Sequence, residues 1–161
     1  MRGVGPPRVE FLQRYVSLLL FIVLVLGGGL LIGYATLPDA WYASLAKPPF
    51  NPPNWVFGPA WTLLYVLISV AGWRTWVREP KGTTMKVWGA QLVLNFAWSP
   101  TFFGAKMMGP ALVVIVLLLA IILLFIASAW NRDRLSGSLF VPYAAWVAFA
   151  TLLNASLLWL N

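Results

Sequence analysis

The sequence predicts an all-α integral membrane protein: a five-transmembrane-helix bundle with a Pro/Trp-rich loop covering a ligand pocket. Three observations carry that expectation. The chain is 61% hydrophobic and only 9% charged, with mean hydropathy +0.82. Five apolar runs each approach the roughly 20 residues that a helix needs to cross about 30 Å of hydrocarbon. Between the first two lies a connector built largely of proline and aromatic residues. With 161 residues, this composition suits one compact membrane domain and leaves little chain outside the bilayer.

Residues 1-13 read as a basic N-terminal tail and 14-161 as the membrane domain, with helices at about 14-36, 54-76, 85-104, 107-130 and 137-160 and a lid loop at 37-53. The first run follows Arg2, Arg8 and Arg14, as a secretory signal would. It is longer than a typical signal core and meets the lid without a small-residue cleavage site, so a retained helix is expected. Gly29 and Gly33 form a small-xxx-small pair on it that permits close helix approach, within the bundle or between protomers.

In the lid, Pro48, Pro49, Pro52, Pro53 and Pro59 fix φ and remove backbone donors, which favours a stiff, largely extended cover. Trp41, Tyr42, Phe50, Trp55, Phe57 and Trp61 give that cover flat apolar surfaces with a few polar edges, suited to a planar, mostly apolar ligand. The second helix then pairs Trp61 with Tyr65 at i, i+4. On the third, Gln91, Asn95 and Ser99 recur every fourth residue beside Trp98 and Phe102, a face that should avoid lipid. The fourth run, 107-130, qualifies on apolar length. On the fifth, Tyr143, Val147, Ala150 and Asn154 share helical spacing, with Trp146 alongside. The amides either bridge helices, at about 0.6–2 kcal/mol each, or line a pocket. Spacing alone leaves both readings open, as it does for Trp61 and Trp146. Trp73, Trp76, Trp88, Trp130 and Trp159 lie near predicted helix ends and read as interface anchors.

The net charge of +7 follows topology. Arg2, Arg8, Arg14, Arg74, Arg78, Lys81, Lys86, Arg132 and Arg134 fall at the N-terminus and at the second and fourth loops, and only Lys47 and Lys106 at the first and third. This positive-inside pattern places the N-terminus and loops 2 and 4 on the cytoplasmic side and the lid opposite. No nucleic-acid partner is expected; membrane lipid is. The absence of cysteine and histidine removes thiol catalysis, His-based triads, the usual zinc sites and the usual haem ligands apart from Met and Tyr, so no metal site is expected and a bound tetrapyrrole should be metal-free or held without strong axial ligation. Glu10, Asp39, Glu79 and Asp133 all fall at predicted helix ends or loops, away from mid-membrane positions where proton-coupled transporters bury an acid. No Walker-type loop appears.

These residues carry a resemblance. Trp41-Tyr42-x-x-Leu45-x-Lys47-Pro48-x-x-x-Pro52-Pro53-x-Trp55-Val56-Phe57 with Trp61, Gln91-x-x-x-Asn95-x-x-Trp98-Ser99-x-x-Phe102-Phe103-Gly104, and Pro142-Tyr143-x-x-Trp146 together resemble the TspO/MBR family, the tryptophan-rich sensory proteins and the translocator protein or peripheral benzodiazepine receptor. The likeness covers nearly the whole chain after about residue 14. It implies a five-helix bundle, often a homodimer, with a cavity under the first loop for porphyrins, lipid-like small molecules and benzodiazepine-site ligands. Tyr42, Trp61, Asn95, Ser99, Phe102, Trp146 and Ala150 match ligand-binding positions, and Trp41, Pro48, Pro52, Pro53 and Trp55 match the lid. Trp61 and Trp146 also match the two tryptophans proposed in bacterial relatives to support light- and oxygen-dependent breakdown of protoporphyrin IX. No obligatory cofactor and no conventional enzyme chemistry follow from the resemblance.

Phe50 stands where relatives often carry Trp, and Leu152 to Asn161 lacks the Tyr and Lys/Arg of the cholesterol-recognition pattern of animal relatives. The expected function is therefore a membrane tetrapyrrole sensor in a bacterial cell membrane, with an outer membrane as the alternative. A porphyrin transporter or exporter and a stress-responsive scaffold are the competing readings.

Overall fold

The computed structural model describes residues 7–161, with side chains from Leu12 onward. The protein is all-helical, and no strand occurs among the described residues. Helix α1 runs Pro7–Ile22, passes through a π-helical turn at Val23–Gly27 and resumes over Gly28–Ala35; α2 is the short helix Ala40–Ser44. A 3-10 turn, Asn54–Val56, leads into α3, Phe57–Arg78. Helix α4, Thr83–Ser99, continues into a π-helical turn, Pro100–Gly104; α5 is Met108–Trp130 and α6 is Arg134–Leu160. Four helical stretches are long and apolar enough to cross a membrane: Leu12–Ala35, Asn54–Arg78, Met108–Trp130 and Arg134–Leu160. The α-helical part of α4 alone is 17 residues, about 25 Å at 1.5 Å per residue.

The boundaries have local causes. Proline is tolerated in a first turn, where its missing N–H would have no partner, so α1 begins at Pro7 and not near residue 14. The part of the expected tail from residue 7 to 13 is thus helical; the rest, 1–6, lies outside the described residues. Pro80 and Gly82 separate α3 from α4. At Pro100 the chain keeps helical dihedrals (φ −59°, ψ −37°), but it has no N–H to give, and the helix widens into the π-helical turn.

The main core is formed by Val25, Ile68, Ile115, Ile122, Phe125, Phe140, Tyr143 and Val147. Two glycines let aromatic rings enter it. A Cβ on Gly29 would collide with the Tyr65 ring, and one on Gly72 with the Trp88 indole. Gly33 has nothing within 4 Å of a virtual Cβ, so the two halves of the sequence pair face different surroundings. Trp88 departs from its reading as an interface anchor. It is buried, and its Nε1–H donates to the Ile68 carbonyl at 3.0 Å. Trp76, Trp130 and Trp159 are exposed near helix ends, and Trp73 donates to Ser17 Oγ at 3.0 Å, tying α3 to α1.

At the end away from the lid, Arg74 grips Asp133 with two bonds of 2.9 Å, Ser136 donates to the same carboxylate at 2.6 Å, and Arg132 pairs with Glu79. Burial raises the Asp133 pKa, but the hydrogen bonds from Arg74 and Ser136 and the charges of Arg74 and Arg78 outweigh it and hold the carboxyl at about 2.

Candidate functional site

The site lies under the lid, where α2, the turn that ends α4, α5 and α6 converge on a second cluster of buried residues, Tyr42, Phe102, Ala111, Leu153 and Leu157, with Phe57 of α3 packed against it. Asp39 starts α2: its Oδ1 accepts from the backbone N–H groups of Trp41 (3.0 Å) and Tyr42 (3.2 Å), satisfying donors that a helix start leaves open. Lys106 pairs with the same carboxylate at 2.8 Å. The hydrogen bond from Lys106 and that from the Tyr42 N–H hold the Asp39 carboxyl below the usual range. Lys47 closes the other end of α2 by donating to the carbonyls of Tyr42 (2.8 Å), Ala43 (3.2 Å) and Leu45 (3.2 Å).

Beyond α2 the chain is irregular and proline-stiffened, as the sequence predicts, and it is fastened to the last residue. The Ala46 N–H donates to Asn161 Oδ1 at 2.9 Å, and Asn161 Nδ2 donates back to the Ala46 carbonyl at 3.1 Å. The Tyr42 hydroxyl donates to Asn51 Oδ1 at 3.3 Å within the cover. Pro48 is buried and Pro52 half-buried, whereas Pro53 and Trp55 are exposed, Trp55 to 75%. Trp55 therefore faces outward. Trp41 turns inward onto Phe102, ring centroids 6.0 Å apart.

Beneath this cover is a cavity lined by Tyr42, Phe57, Trp61, Trp98, Phe102, Phe103, Trp146, Ala150, Leu153, Asn154 and Leu157. The rings hold each other in place. Trp98 stacks on Phe102 (5.5 Å), Trp61 stacks on Tyr65 (5.5 Å), and Phe57 meets Trp146 edge-on (5.9 Å). The cavity holds about 20 Å³, room for about one water molecule, whereas pockets for drug-sized ligands run to about 300–1,000 Å³. The lining is aromatic and apolar, and admitting anything much larger than a water molecule requires the cover or the rings to move.

Of the residues expected to bind ligand, Tyr42, Trp61, Phe102, Trp146 and Ala150 meet at this cavity; Asn95 and Ser99 do not line it. Asn95 sits deeper, its Nδ2 donating to the Tyr143 hydroxyl at 2.7 Å, which donates in turn to Gln91 Oε1 at 2.9 Å. Ser99 is drawn toward α1 and bonds Thr36 Oγ1 at 2.7 Å. The i, i+4 spacing put these side chains on one stripe, but the stripe drifts around the helix: Gln91 and Asn95 meet Tyr143 of α6, and Ser99 meets Thr36 at the end of α1. The lining residues outside that expected set are Phe57, Trp98, Phe103, Leu153, Asn154 and Leu157; Leu153 and Leu157 continue the Ala150 face at helical spacing and were legible as such. Trp98 joins α4 to α6 through Nε1–H to Asn154 Oδ1 at 3.2 Å, and Asn154 Nδ2 reaches the Met108 carbonyl at 3.0 Å. Trp146 Nε1, Gln91 Nε2 and Asn95 Oδ1 are buried with no hydrogen-bond partner among the described residues. No cluster of three or more His, Cys, Asp or Glu occurs among them.

Apolar spanning helices around an aromatic cavity, closed by a proline-rich cover, define a multi-pass membrane protein. Residues 21–160 match the model of the TspO/MBR family, and the chain belongs to that family. It is 39% identical to the tryptophan-rich sensory protein of Cereibacter sphaeroides over 145 residues, 90% of this chain and 92% of the relative. The translocator protein of Homo sapiens is 40% identical over 120 residues, 71% of this chain and 70% of the relative. Protein CrtK of Rhodobacter capsulatus is 39% identical over 128 residues, 77% of this chain and 80% of the relative.

Proposed function

We propose that the protein is a membrane receptor for tetrapyrroles of the protoporphyrin IX type, which enter the aromatic cavity when the cover lifts, and that benzodiazepine-site ligands compete there. The convergence of Trp61, Trp98, Phe102 and Trp146 on one cavity beneath a doubly fastened cover carries this reading. Flat aromatic faces stack favourably on a macrocycle. Trp61 and Trp146 share the cavity, so a porphyrin excited by light there would sit against both indoles, and slow photooxidative loss of pigment is the accompanying activity. Asp39, Glu79 and Asp133 all lie outside the spanning stretches, which leaves the transport reading without a described coupling acid. The membrane arrangement that accompanies this function is five spans, with α4 and its π-helical turn as the third, in a bacterial cell membrane with the lid on the non-cytoplasmic side.

Titrating protoporphyrin IX into the detergent-solubilised protein in the dark, with tryptophan quenching as readout, tests the binding. Saturable quenching that an isoquinoline carboxamide reverses is expected; non-saturating, uncompeted quenching would reduce the effect to partition into micelles. Under illumination, the Trp61→Phe/Trp146→Phe double variant should retain helicity and lose most of the protein-dependent pigment decay. An unchanged decay rate would remove the two indoles from the reaction.

A further inference from the structure

A cavity of about 20 Å³ admits a ligand only after one of its walls opens, and the walls are not fastened alike. Trp98 Nε1 ties α4 to Asn154 of α6, and Asn154 Nδ2 ties α6 to the Met108 carbonyl of α5. The cover is held on the α4 side by the Asp39–Lys106 pair and at the end of α6 by the bonds between Ala46 and Asn161. The wall where the proline-stiffened part of the cover and the start of α3 meet α6 has no such tie. Among the described residues, no hydrogen bond or ion pair joins residues 50–61 to residues 143–153. Rings close it instead. Phe50 meets Phe149 edge-on with centroids 6.4 Å apart, Phe149 meets Trp146 at 5.7 Å, and Trp146 meets Phe57 edge-on at 5.9 Å. Phe50 is exposed and the other three are half-buried, so the row runs from the outer surface to Trp146 and Phe57 of the cavity lining. Trp146 Nε1 has no hydrogen-bond partner among the described residues, which leaves its indole held by ring contacts.

The depth of this seam decides what lies outside it. Arg74 and Asp133 pin α3 to the start of α6 at the opposite end of the bundle. From that pin the rise along α6 to Trp146 is about 20 Å, and along α3 to Phe57 about 25 Å, at 1.5 Å per residue. Both heights fall within the roughly 30 Å of a hydrocarbon core, so lipid chains flank the seam. Parting a wall tied by hydrogen bonds at this depth would leave polar groups unpaired where no water can reach them. Parting a row of rings leaves none, and segments that open to ligands are drawn from the least firmly fastened parts of a fold. We propose that the seam between the cover and α6 is a lateral portal to the bilayer: a hydrophobic ligand dissolved in the lid-side leaflet reaches the cavity as Phe50 and Phe149 swing apart, while the Asp39–Lys106 pair stays closed. The inference rests on the tetrapyrrole reading above and assigns the edge at which the cover lifts.

Two measurements on the full chain in lipid nanodiscs test it. The chain has no cysteine, so Phe149→Cys carries a single nitroxide, whose relaxation by oxygen should exceed that by a water-soluble nickel chelate several-fold. Stronger relaxation by the chelate would put the seam in water and overturn the portal. In the dark, association and dissociation of protoporphyrin IX, followed by stopped-flow tryptophan quenching, should both accelerate several-fold in Phe149→Ala and in Phe50→Ala. The dissociation constant should change far less, because neither ring lines the cavity. Parent rates in either variant, folded and still binding, would overturn the portal and leave the tetrapyrrole reading standing. Equal acceleration by Lys106→Met would mean that the cover lifts as a whole, and would overturn the portal as well. Absence of saturable, competed binding by the parent chain would overturn both the portal and the tetrapyrrole reading.

Discussion

At the scale of single residues, the close approaches matter more than the polar groups. Gly72 admits the Trp88 indole between α3 and α4, and a Cβ there would overlap the ring. Gly72→Ala should therefore lower the thermal midpoint despite alanine's better helix propensity, because overpacking a close-fitted site costs about 1–3 kcal/mol against a propensity gain of about 1 kcal/mol. Gly33→Ala, with nothing within 4 Å, should be neutral or slightly stabilising. Equal midpoints for the two variants would show that the approach at Gly72 is not tight. The sequence marked Gly29 as a close-approach residue but gave no partner, and it offered no signal for Gly72. It placed Trp88 near a helix end and hence at the interface. Which ring fills which glycine notch depends on helix rotation and register, and those are set by the packing of the whole bundle. Position beside the lid and a tyrosine at helical spacing left Trp61 and Trp146 open between packing and pocket wall, and the family resemblance was what pointed to the pocket that both line.

At the scale of elements, the cover is a short capped helix followed by an extended strap, and its fastening can be separated from its shape. Proline spacing made the strap legible; α2 was not, because its five residues are held by Asp39 at one end and Lys47 at the other, and not by any periodic pattern. The strap's clasp joins Ala46 to Asn161, 115 residues away in sequence, a pairing no local pattern reveals. Asn161→Ala removes both bonds to Ala46, together with a third to the Leu157 carbonyl at 2.9 Å, and alters no side chain that lines the cavity. It should raise ligand association and dissociation rates together, several-fold each, with a smaller change in affinity, measured by stopped-flow quenching; unchanged rates would mean that the clasp does not gate entry. The pin between α3 and the start of α6 is a pH-sensitive counterpart. Because Asp133 has its folded pKa depressed to about 2, against about 3.9 for an unperturbed Asp, its contribution to stability is fully present above about pH 4 and lost as pH falls toward 2. Replacing Arg74 by Met should flatten that acid limb of a thermal-midpoint profile and lower the plateau, by less than the cost of about 3–5 kcal/mol for an uncompensated buried charge, because Arg78 remains 3.6 Å from the carboxylate and Ser136 still donates to it. A parallel downward shift with the acid limb intact would exclude the pair as its origin.

At the scale of the whole molecule, the charge distribution read from sequence and the ends of the bundle agree. Lys47 and Lys106 lie with the lid, and Arg74, Arg78 and Arg132 gather around Asp133 and Glu79. The clasp between Asn161 and Ala46 puts the end of α6 at the lid end. Helix α4 decides the number of crossings. Its α-helical part is short of a full span, yet the π-helical turn adds five residues and brings the run close to the roughly 30 Å of a hydrocarbon core. Thr84, Val87, Trp88, Gln91, Leu92 and Asn95 are buried, so the segment packs into the bundle along much of its length. Lys81 precedes it and Ala105 follows its turn, and both are exposed. The chain has no cysteine, so Lys81→Cys and Ala105→Cys each place a single thiol. In membrane vesicles of defined sidedness, a membrane-impermeant maleimide should label position 81 from the cytoplasmic face only and position 105 from the opposite face only. Labelling of both from one face would make α4 a re-entrant segment and reduce the bundle to four spans. The lid and the N-terminus would remain on opposite faces under either result, because α1 is a span in both.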